Sequence, residues 1–289
     1  MPSDANIKNI LRQRNLAPKK RFGQNFLIHQ TSAARIVATA AISPTDTILE
    51  IGVGLGALTR ILANRADHVI GLEVDRGIVS WLEEKGNLPQ NVTLLHRDVM
   101  KADFNDLANM TGGRLKIVAN LPYSLSNPLL FKLIENRSTL EWAVVMLQKE
   151  VGERLMAKVG SKAYGILSVL IRTCATVSPL LELGPGHFHP RPKVVSQVLR
   201  IVFHPPPASV LGLPDCDQQL LVRIVNAAFQ QRRKTLLNAL SAGCCSDLSK
   251  PVIEGIIKAA AIPPGIRAEQ LTVEDYVRLT RSFQEKLIG

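Results

Sequence analysis

The sequence contains few cysteines, and none of them lies in a metal-binding motif. The four are Cys174, Cys216, Cys244 and Cys245, and no C-x-x-C pair occurs among them. The adjacent pair is poorly placed to form a metal cage, and the thiols of an intracellular protein stay reduced. We therefore expect free thiols, no structural zinc and no other bound metal.

Long apolar runs are also missing from the chain. No stretch approaches the roughly 20 apolar residues that span a membrane. Residues 1–26 are polar and lack the apolar segment of a secretory signal peptide. Internal repeats and low-complexity tracts are absent too. These features indicate a cytoplasmic protein without a membrane partner.

Acidic residues are scarce relative to basic ones. The 289 residues include 35 Lys and Arg against 24 Asp and Glu, which gives a formal net charge of +11. Such an excess favours a polyanionic partner, nucleic acid before membrane, although a merely basic soluble protein is an alternative. Hydrophobic residues make up 46% of the chain, which is enough for a sizeable core.

Apolar runs typical of strands alternate with segments of helical periodicity over the first half of the chain. This alternation predicts an α/β fold with a mostly parallel sheet covered by helices on both faces. After residue 160 the pattern changes to a helix, a closing pair of strands, a proline-rich linker and further helices. We predict a sheet domain over residues 1–204 and a helical domain over residues 205–289. The predicted strands of the first part are residues 47–54, 68–75, 92–98, 114–122 and 142–151.

A glycine-rich stretch, E-I-G-V-G-L-G at residues 50–56, follows the first predicted strand. Gly52 and Gly54 allow the backbone to approach a ligand closely at a strand-to-helix turn. Glu73 ends the second predicted strand, where a carboxylate can accept hydrogen bonds from both hydroxyls of a ribose. Asp98 ends the third, where it can meet an adenine amino group. These residues predict a nucleoside site at one edge of the sheet.

The glycines alone leave other interpretations open. Gly52, Gly54 and Ala57 also fit the G-x-G-x-x-G/A fingerprint of dinucleotide-binding oxidoreductases. A tight turn with no ligand is a further alternative. Two features argue against an oxidoreductase: Glu50 before the first glycine is characteristic of folds that bind S-adenosylmethionine, and no obvious histidine accompanies the strand ends.

The sequence N-L-P-Y follows the fourth predicted strand and falls on the same edge. The side-chain oxygen of Asn120 and the carbonyl of Leu121 can accept the two N–H groups of an exocyclic amine on a base. Pro122 restricts the backbone and so aims that carbonyl, and Tyr123 offers a face for base stacking. This predicts methyl transfer to an adenine N6 through alignment rather than through a strong base. The alternative is a strand-ending turn with a core tyrosine.

Together these motifs resemble the bacterial small-subunit ribosomal RNA adenine N6-dimethyltransferases over nearly the whole chain. The matching segments are G-Q-N-F-L at 23–27, E-I-G-V-G-L-G-A-L-T at 50–59, G-L-E-V-D at 71–75, N-L-P-Y at 120–123, H-F-H-P-R-P-K-V at 187–194, F-Q-Q-R-R-K-T-L at 229–236 and R-A-E-Q-L at 267–271. The resemblance implies a Rossmann-like class I methyltransferase with a seven-stranded sheet, S-adenosylmethionine as methyl donor and a small C-terminal all-α domain. It also implies dimethylation of two adjacent adenosines in a hairpin loop near the 3′ end of small-subunit rRNA.

The same resemblance implies how the cofactor would be held. Asn25 and Leu27, within an N-terminal clamp segment over residues 1–31, would close over it. Gly52 and Gly54 would pass beside its methionine part.

Further roles implied by the resemblance concern the nucleoside and the target base. Glu73 would hold the ribose hydroxyls and Asp98 the adenine amino group of the cofactor, while Asn120 would touch both the cofactor and the target base. Phe188 would stack on the target adenine opposite Tyr123. The alternative for Phe188 is an ordinary core position.

Two basic clusters are candidates for contacts with RNA phosphates, although a charge run is as often a solvated surface. Their members are Lys19, Lys20 and Arg21 in the first, and Arg232, Arg233 and Lys234 in the second. Arg232 is equally well explained as a brace between the two domains.

The expected partner is small-subunit rRNA within a 30S-like pre-ribosomal particle, bound by a monomer. A large-subunit rRNA adenine methylase, or an assembly checkpoint whose binding matters more than catalysis, are the alternatives.

Overall fold

Strands form the framework of the molecule. The structure, a computed structural model, describes residues 23–84, 88–204, 212 and 214–288. The strands are β1 (Phe26–Leu27), β2 (Thr47–Ile51), β3 (His68–Glu73), β4 (Val92–His96), β5 (Leu115–Asn120), β6 (Leu140–Gln148), β7 (Ala175–Leu183), β8 (Phe188–His189) and β9 (Ser196–Phe203).

Seven of these strands form one sheet, in the order β4-β3-β2-β5-β6-β9-β7. The pairs from β4 to β6 in that order are parallel, and β9 is antiparallel to β6. Ile48 and Leu49 in the central strand β2 are completely buried. Burial on both faces explains the continuous apolar run of this strand. The predicted mostly parallel α/β sheet is confirmed.

Helices connect the strands and make up most of the C-terminal region. They are α1 (Gln30–Thr39), α2 (Thr59–Ala63), α3 (Arg76–Glu83), α4 (Phe104–Thr111), α5 (Ser126–Glu135), α6 (Lys149–Leu155), α7 (Ile166–Cys174), α8 (Gln218–Gln230), α9 (Leu236–Ala242), α10 (Lys250–Ala259) and α11 (Val273–Ile288). Aspartate side chains cap several helix starts by accepting hydrogen bonds from free N–H groups. Asp75 does so for α3, Asp103 for α4 and Asp217 for α8.

The helix after N-L-P-Y follows the preceding turn without a gap. α5 begins at Ser126, directly after a 3₁₀ turn over Tyr123–Leu125. Pro128 therefore lies inside the first turn of α5, where its missing N–H costs no intrahelical hydrogen bond.

The chain forms two compact units. One contains the described residues up to Gly152 together with Val177–Phe203, and the other contains Glu153–Thr176 together with the described residues from His204 onward. This division differs from a single boundary near residue 204, because residues 153–176 group with the helical unit. The hydroxyl of Tyr164 illustrates why: it donates to the carbonyl of Leu271 at 3.0 Å within that unit.

Arg232 is held inside the helical unit. Its Nε lies 2.5 Å from Glu269 Oε2, and its two Nη atoms donate to the carbonyls of Lys162 and Ser161 at 2.9 and 3.2 Å. Arg232 was predicted as a phosphate contact or an interdomain brace. Its donors are instead used within one unit, so the guanidinium is a structural group here.

We predict that Arg232→Ala lowers the free energy of unfolding by about 1–2 kcal/mol. Hydrogen bonds to charged groups contribute about 1.5–3 kcal/mol when buried, and the partial exposure of this side chain reduces that figure. Urea denaturation followed by circular dichroism measures the change. Arg233→Ala is the matched control, since Arg233 is exposed and contacts no described residue through a hydrogen bond or ion pair. Equal midpoints for the two variants would contradict the assignment.

Candidate active site

A cleft lies where the carboxyl ends of β2, β3, β4 and β5 meet. β2 pairs in parallel with both β3 and β5, so the direction of strand succession reverses beside it. Open α/β sheets bind ligands at such a reversal. The structure brings six predicted cofactor residues together in the lining of this cleft: Asn25, Gly52, Gly54, Glu73, Asp98 and Asn120.

The glycine loop after β2 has a backbone that favours glycine. Gly52 and Gly54 have φ angles of +80° and +55°, in the left-handed region that other residues enter at a cost of about 1–2 kcal/mol. The N–H of Gly52 donates to the carbonyl of Leu72 at 2.9 Å, which holds the loop to β3. A Cβ on Gly54 would lie 3.4 Å from the ring of Phe26. Both glycines are thus needed for the shape of the cleft wall.

Glu73 joins the glycine loop to the end of β3. Its Oε2 accepts from Gly54 N at 2.9 Å, and its Oε1 accepts from Val74 N and Asp75 N, both at 2.9 Å. Burial raises the pKa of Glu73, while these three N–H groups oppose the rise. A carboxylate offers about four acceptor positions, so one remains for a ligand. To accept hydrogen bonds from both ribose hydroxyls, the Glu73 carboxylate would therefore have to share one acceptor position between a hydroxyl and a backbone N–H.

Asp98 lies just beyond β4 in the lining of the cleft. Its Oδ1 accepts from Met100 N at 2.9 Å, which fixes the carboxylate in place. The neighbouring Arg97 is exposed and also lines the cleft. Sequence reasoning missed Arg97, although its position directly before Asp98 was the available signal.

The N-L-P-Y segment closes the other side of the cleft. Asn120 is the last residue of β5, and its Nδ2 donates to the carbonyl of Asn25 at 3.4 Å. No described residue contacts Asn120 Oδ1 or donates to the carbonyl of Leu121. Pro122 has an extended backbone, with φ −54° and ψ 134°. Adjacent residues at the strand end thus offer two acceptor oxygens that have no hydrogen-bond partner in the described chain.

Residues 23–25 link the two sides of the cleft. The side chain of Gln24 donates to Asp75 Oδ2 at 3.4 Å on the β3 side. The carbonyl of Asn25 accepts from Asn120 on the β5 side. A Cβ on Gly23, whose φ is +58°, would lie 3.6 Å from the ring of Pro122. The described part of the predicted clamp segment therefore contacts both sides of the cleft.

Tyr123 and Phe188 do not form an open pair of stacking faces. The hydroxyl of Tyr123 is 2.9 Å from Ser196 Oγ, and partial burial raises the pKa of this tyrosine. Phe188 is only 3% exposed and belongs to the main hydrophobic core, beside Leu27 of the paired strand β1. The alternative interpretation of Phe188 as an ordinary core residue fits this arrangement, because its ring is buried beside β1. Stacking on a base would require this ring to become exposed.

Only the second of the two predicted basic clusters lies within the described residues. Arg233 and Lys234 are exposed at the surface of the helical unit. Lys19, Lys20 and Arg21 lie outside the described residues. Leu27, expected to close over the cofactor, is instead 3% exposed and borders a small cavity beside the glycine loop.

Glu50 contributes a buried carboxyl to the wall of that small cavity. It is 1% exposed, and neither of its oxygens has a hydrogen-bond partner among the described residues. Burial raises the pKa of Glu50 to about 8; the nearby Thr59 hydroxyl opposes the rise and the charge of Glu73 adds to it. Thr59 does not reach hydrogen-bonding geometry with Glu50 and is itself without a partner. An unpaired buried carboxyl of this kind suits a cationic ligand group.

The described residues contain neither a metal-ligand cluster nor a membrane-spanning helix. No group of three or more His, Cys, Asp and Glu side chains is arranged to hold a metal ion. Within the same residues, no helix is both long enough and apolar enough to cross a membrane.

The sheet order, the glycine loop and the acids at the ends of β3 and β4 define a class I methyltransferase, a class that uses S-adenosylmethionine. Solved structures agree on the fold. A dimethyladenosine transferase from Plasmodium falciparum matches with a TM-score of 0.75 at 24% identity, over 90% of this chain and 98% of that one. The 23S rRNA methyltransferase ErmE matches with a TM-score of 0.64 at 22% identity, over 90% of this chain and all of that one.

Sequence comparison identifies the family. The model of the ribosomal RNA adenine dimethylase family matches residues 15–285. A ribosomal RNA small subunit methyltransferase A from Desulfotalea psychrophila is 47% identical over 99% of this chain and 98% of its own length. A second ribosomal RNA small subunit methyltransferase A, from Syntrophus aciditrophicus, is 39% identical over 96% of this chain and 98% of its own length. The chain belongs to the ribosomal RNA adenine dimethylase family.

We predict that S-adenosylmethionine binding depends on pH through Glu50. With a pKa of about 8, the carboxyl is protonated at pH 6 and must lose its proton to pair with the ligand's ammonium group. Affinity should therefore rise between pH 6 and 7.5, by up to about tenfold per unit. Calorimetry in buffers of different ionisation enthalpy measures both the affinity and the proton release.

Glu50→Gln should flatten this pH dependence and abolish the proton release. Glu141→Gln is the matched control, since Glu141 lies near the start of β6, away from the carboxyl ends of the strands, and is partly exposed in an ion pair with Lys116. The same pH slope in wild type and Glu50→Gln would show that Glu50 does not meet the ligand's cation.

Proposed function

We propose that the protein transfers methyl groups from S-adenosylmethionine to the N6 amino groups of two adjacent adenosines in a hairpin loop near the 3′ end of small-subunit rRNA. Family membership supports an rRNA adenine dimethylase. The site supports the amine as target, because adjacent residues at the end of β5 offer two acceptor oxygens that have no partner in the described chain.

The orientation of the Asn120 amide carries this proposal. Its nitrogen is used by the Asn25 carbonyl, so its oxygen remains available to accept a hydrogen bond. The Leu121 carbonyl is the second acceptor, held by the extended backbone of Pro122. An exocyclic amine has two N–H donors, and these two oxygens satisfy both.

Hydrogen bonding to both acceptors also changes the chemistry of the amine. The N6 lone pair of adenine is delocalised into the ring, which makes the nitrogen a poor nucleophile. Acceptors placed on its two hydrogens favour a pyramidal nitrogen with a localised lone pair. No strong base is needed, because the proton becomes acidic only once the nitrogen has gained a fourth substituent. Good orientation of the reacting groups contributes up to about 7–11 kcal/mol.

The residues of the cleft fit the methyl donor. Glu50 offers an unpaired buried carboxyl for its ammonium group, the left-handed Gly52 and Gly54 permit close backbone approach, and Glu73 and Asp98 offer acceptors for its nucleoside. When bound, S-adenosylmethionine supplies a methyl group on a positively charged sulfur. Residues 23–25 cross the cleft and would limit the access of water.

The substrate is proposed to be rRNA within a 30S-like pre-ribosomal particle, bound by a monomer in the cytoplasm. The net charge of +11 supports a polyanionic partner. A role as an assembly checkpoint, in which the protein binds immature small subunits, is compatible with this activity. A cofactor-binding but inactive variant separates the two roles.

The direct test is incubation with labelled S-adenosylmethionine and methyl-free small subunits, followed by mapping of the modified nucleosides. We expect N6,N6-dimethyladenosine at two neighbouring positions, and no label when large subunits are offered instead. Label confined to large-subunit rRNA would identify the alternative methylase and overturn the proposal.

Asn120→Ala should lower kcat in this assay about 100- to 1,000-fold, comparable with removing one preorganised hydrogen-bonding group. Asn226→Ala is the matched control: Asn226 also donates to a backbone carbonyl, at 2.8 Å, but within α8. Cofactor affinity is measured in parallel. If Asn120→Ala retained full activity with unchanged cofactor affinity, the amine-acceptor role would be wrong.

A further inference from the structure

Two arginines and two histidines lie beside the cleft, on the surface formed by the start of α1 and the segment around β8. We call His29, Arg35, His187 and Arg191 the α1–β8 patch. The N–H of Ile28 donates to the carbonyl of His187 at 3.0 Å, which joins the two segments. The rings of His29 and His187 have centroids 5.5 Å apart.

Hydrogen bonding fixes the centre of the patch. Ser32 Oγ lies 2.8 Å from His187 Nδ1, and Ser32 is buried in α1. On the β8 side, Arg191 Nη2 comes within 3.7 Å of the position that a Cβ would take at Gly186. Arg35 and His29 are exposed on α1 and just before it. The four side chains therefore belong to one continuous surface of the sheet unit.

The fixed positive charges of the patch are those of Arg35 and Arg191. None of the four side chains forms an ion pair with a described residue. Partial burial lowers the pKa of His187, and the charges of His29 and Arg35 lower it further. An anion bound beside Arg35 and Arg191 would meet no paired carboxylate among the described residues and would be stabilised by both guanidinium groups.

The position of the patch relates it to the cleft. Phe26 lines the cleft and pairs with His189 across β1–β8. His29 lies three residues beyond Phe26, a span of at most about 10–11 Å of extended chain. The patch therefore begins within that distance of a residue that lines the cleft.

We infer that the α1–β8 patch binds the phosphodiester groups of RNA nucleotides that flank the target adenosine. This inference rests on the proposed function, since it assumes that an adenosine of an RNA enters the cleft. A base extruded into a pocket needs its backbone held on either side, and phosphate contacts supply position rather than sequence. Arginine forks pair with phosphate oxygens in two-point contacts.

The test measures binding of a fluorescent RNA hairpin with two adjacent loop adenosines, by anisotropy over a series of KCl concentrations. The double variant Arg35→Ala/Arg191→Ala should reduce the slope of log K against log salt by about 1–2 units, since each lost phosphate contact removes about 0.7–1. Arg65→Ala is the control, because Arg65 is exposed after α2, near the opposite edge of the sheet. Unfolding temperatures of all variants check that the fold is retained.

The outcomes separate the inference from the proposed function. A reduced slope in the double variant alone supports the patch. A wild-type slope in the double variant, while the wild type binds the hairpin and methylates small subunits, overturns the patch and leaves the proposed function intact. A wild-type protein that binds no RNA and methylates no subunit overturns both.

Discussion

The carboxylate of Glu73 is the contact on which the arrangement of the cleft depends. It accepts hydrogen bonds from one N–H of the glycine loop and from two N–H groups beyond β3. These three bonds hold the loop after β2 against the end of β3, and so fix the left-handed backbone of Gly52 and Gly54 at the cleft wall. Because the carboxylate is buried, no water competes for the same donors, and the local geometry is preorganised before any ligand arrives.

The opposite wall depends on a contact between distant parts of the chain. Asn25 and Asn120 are 95 residues apart, and their hydrogen bond leaves the amide oxygen of Asn120 available. Gln24 makes the corresponding contact with Asp75. Residues 23–25 thus couple the nucleoside side of the cleft to the amine side. A shift of this segment would alter both the grip on the methyl donor and the orientation of the acceptor.

Local patterns were sufficient to predict the strands of the seven-stranded sheet, because apolar runs and glycine-containing turns are determined by neighbouring residues. The short strands β1 and β8 were not predicted. Gly52, Glu73, Asp98 and Asn120 were found in the same way, because each ends its strand or follows it within two residues. Contacts that depend on tertiary packing were not predictable in this way. The ring of Phe188 is buried because β8 pairs with β1 far away in sequence, and Arg232 is engaged by Glu269 and two carbonyls that no pattern connects with it. The missing partners of Glu50 likewise become visible only when the cavity around it is formed.

The central claim is that one sheet edge aligns a methyl donor with an adenine amine that is held by Asn120 and Leu121. A crystal structure with S-adenosylhomocysteine and adenosine tests it most directly. We expect the nucleoside of the first ligand between Glu73 and Asp98, and the N6 of the second within hydrogen-bonding distance of Asn120 Oδ1 and the Leu121 carbonyl. Adenosine bound away from β5, or an Asn120 amide whose nitrogen faces N6, would contradict the account.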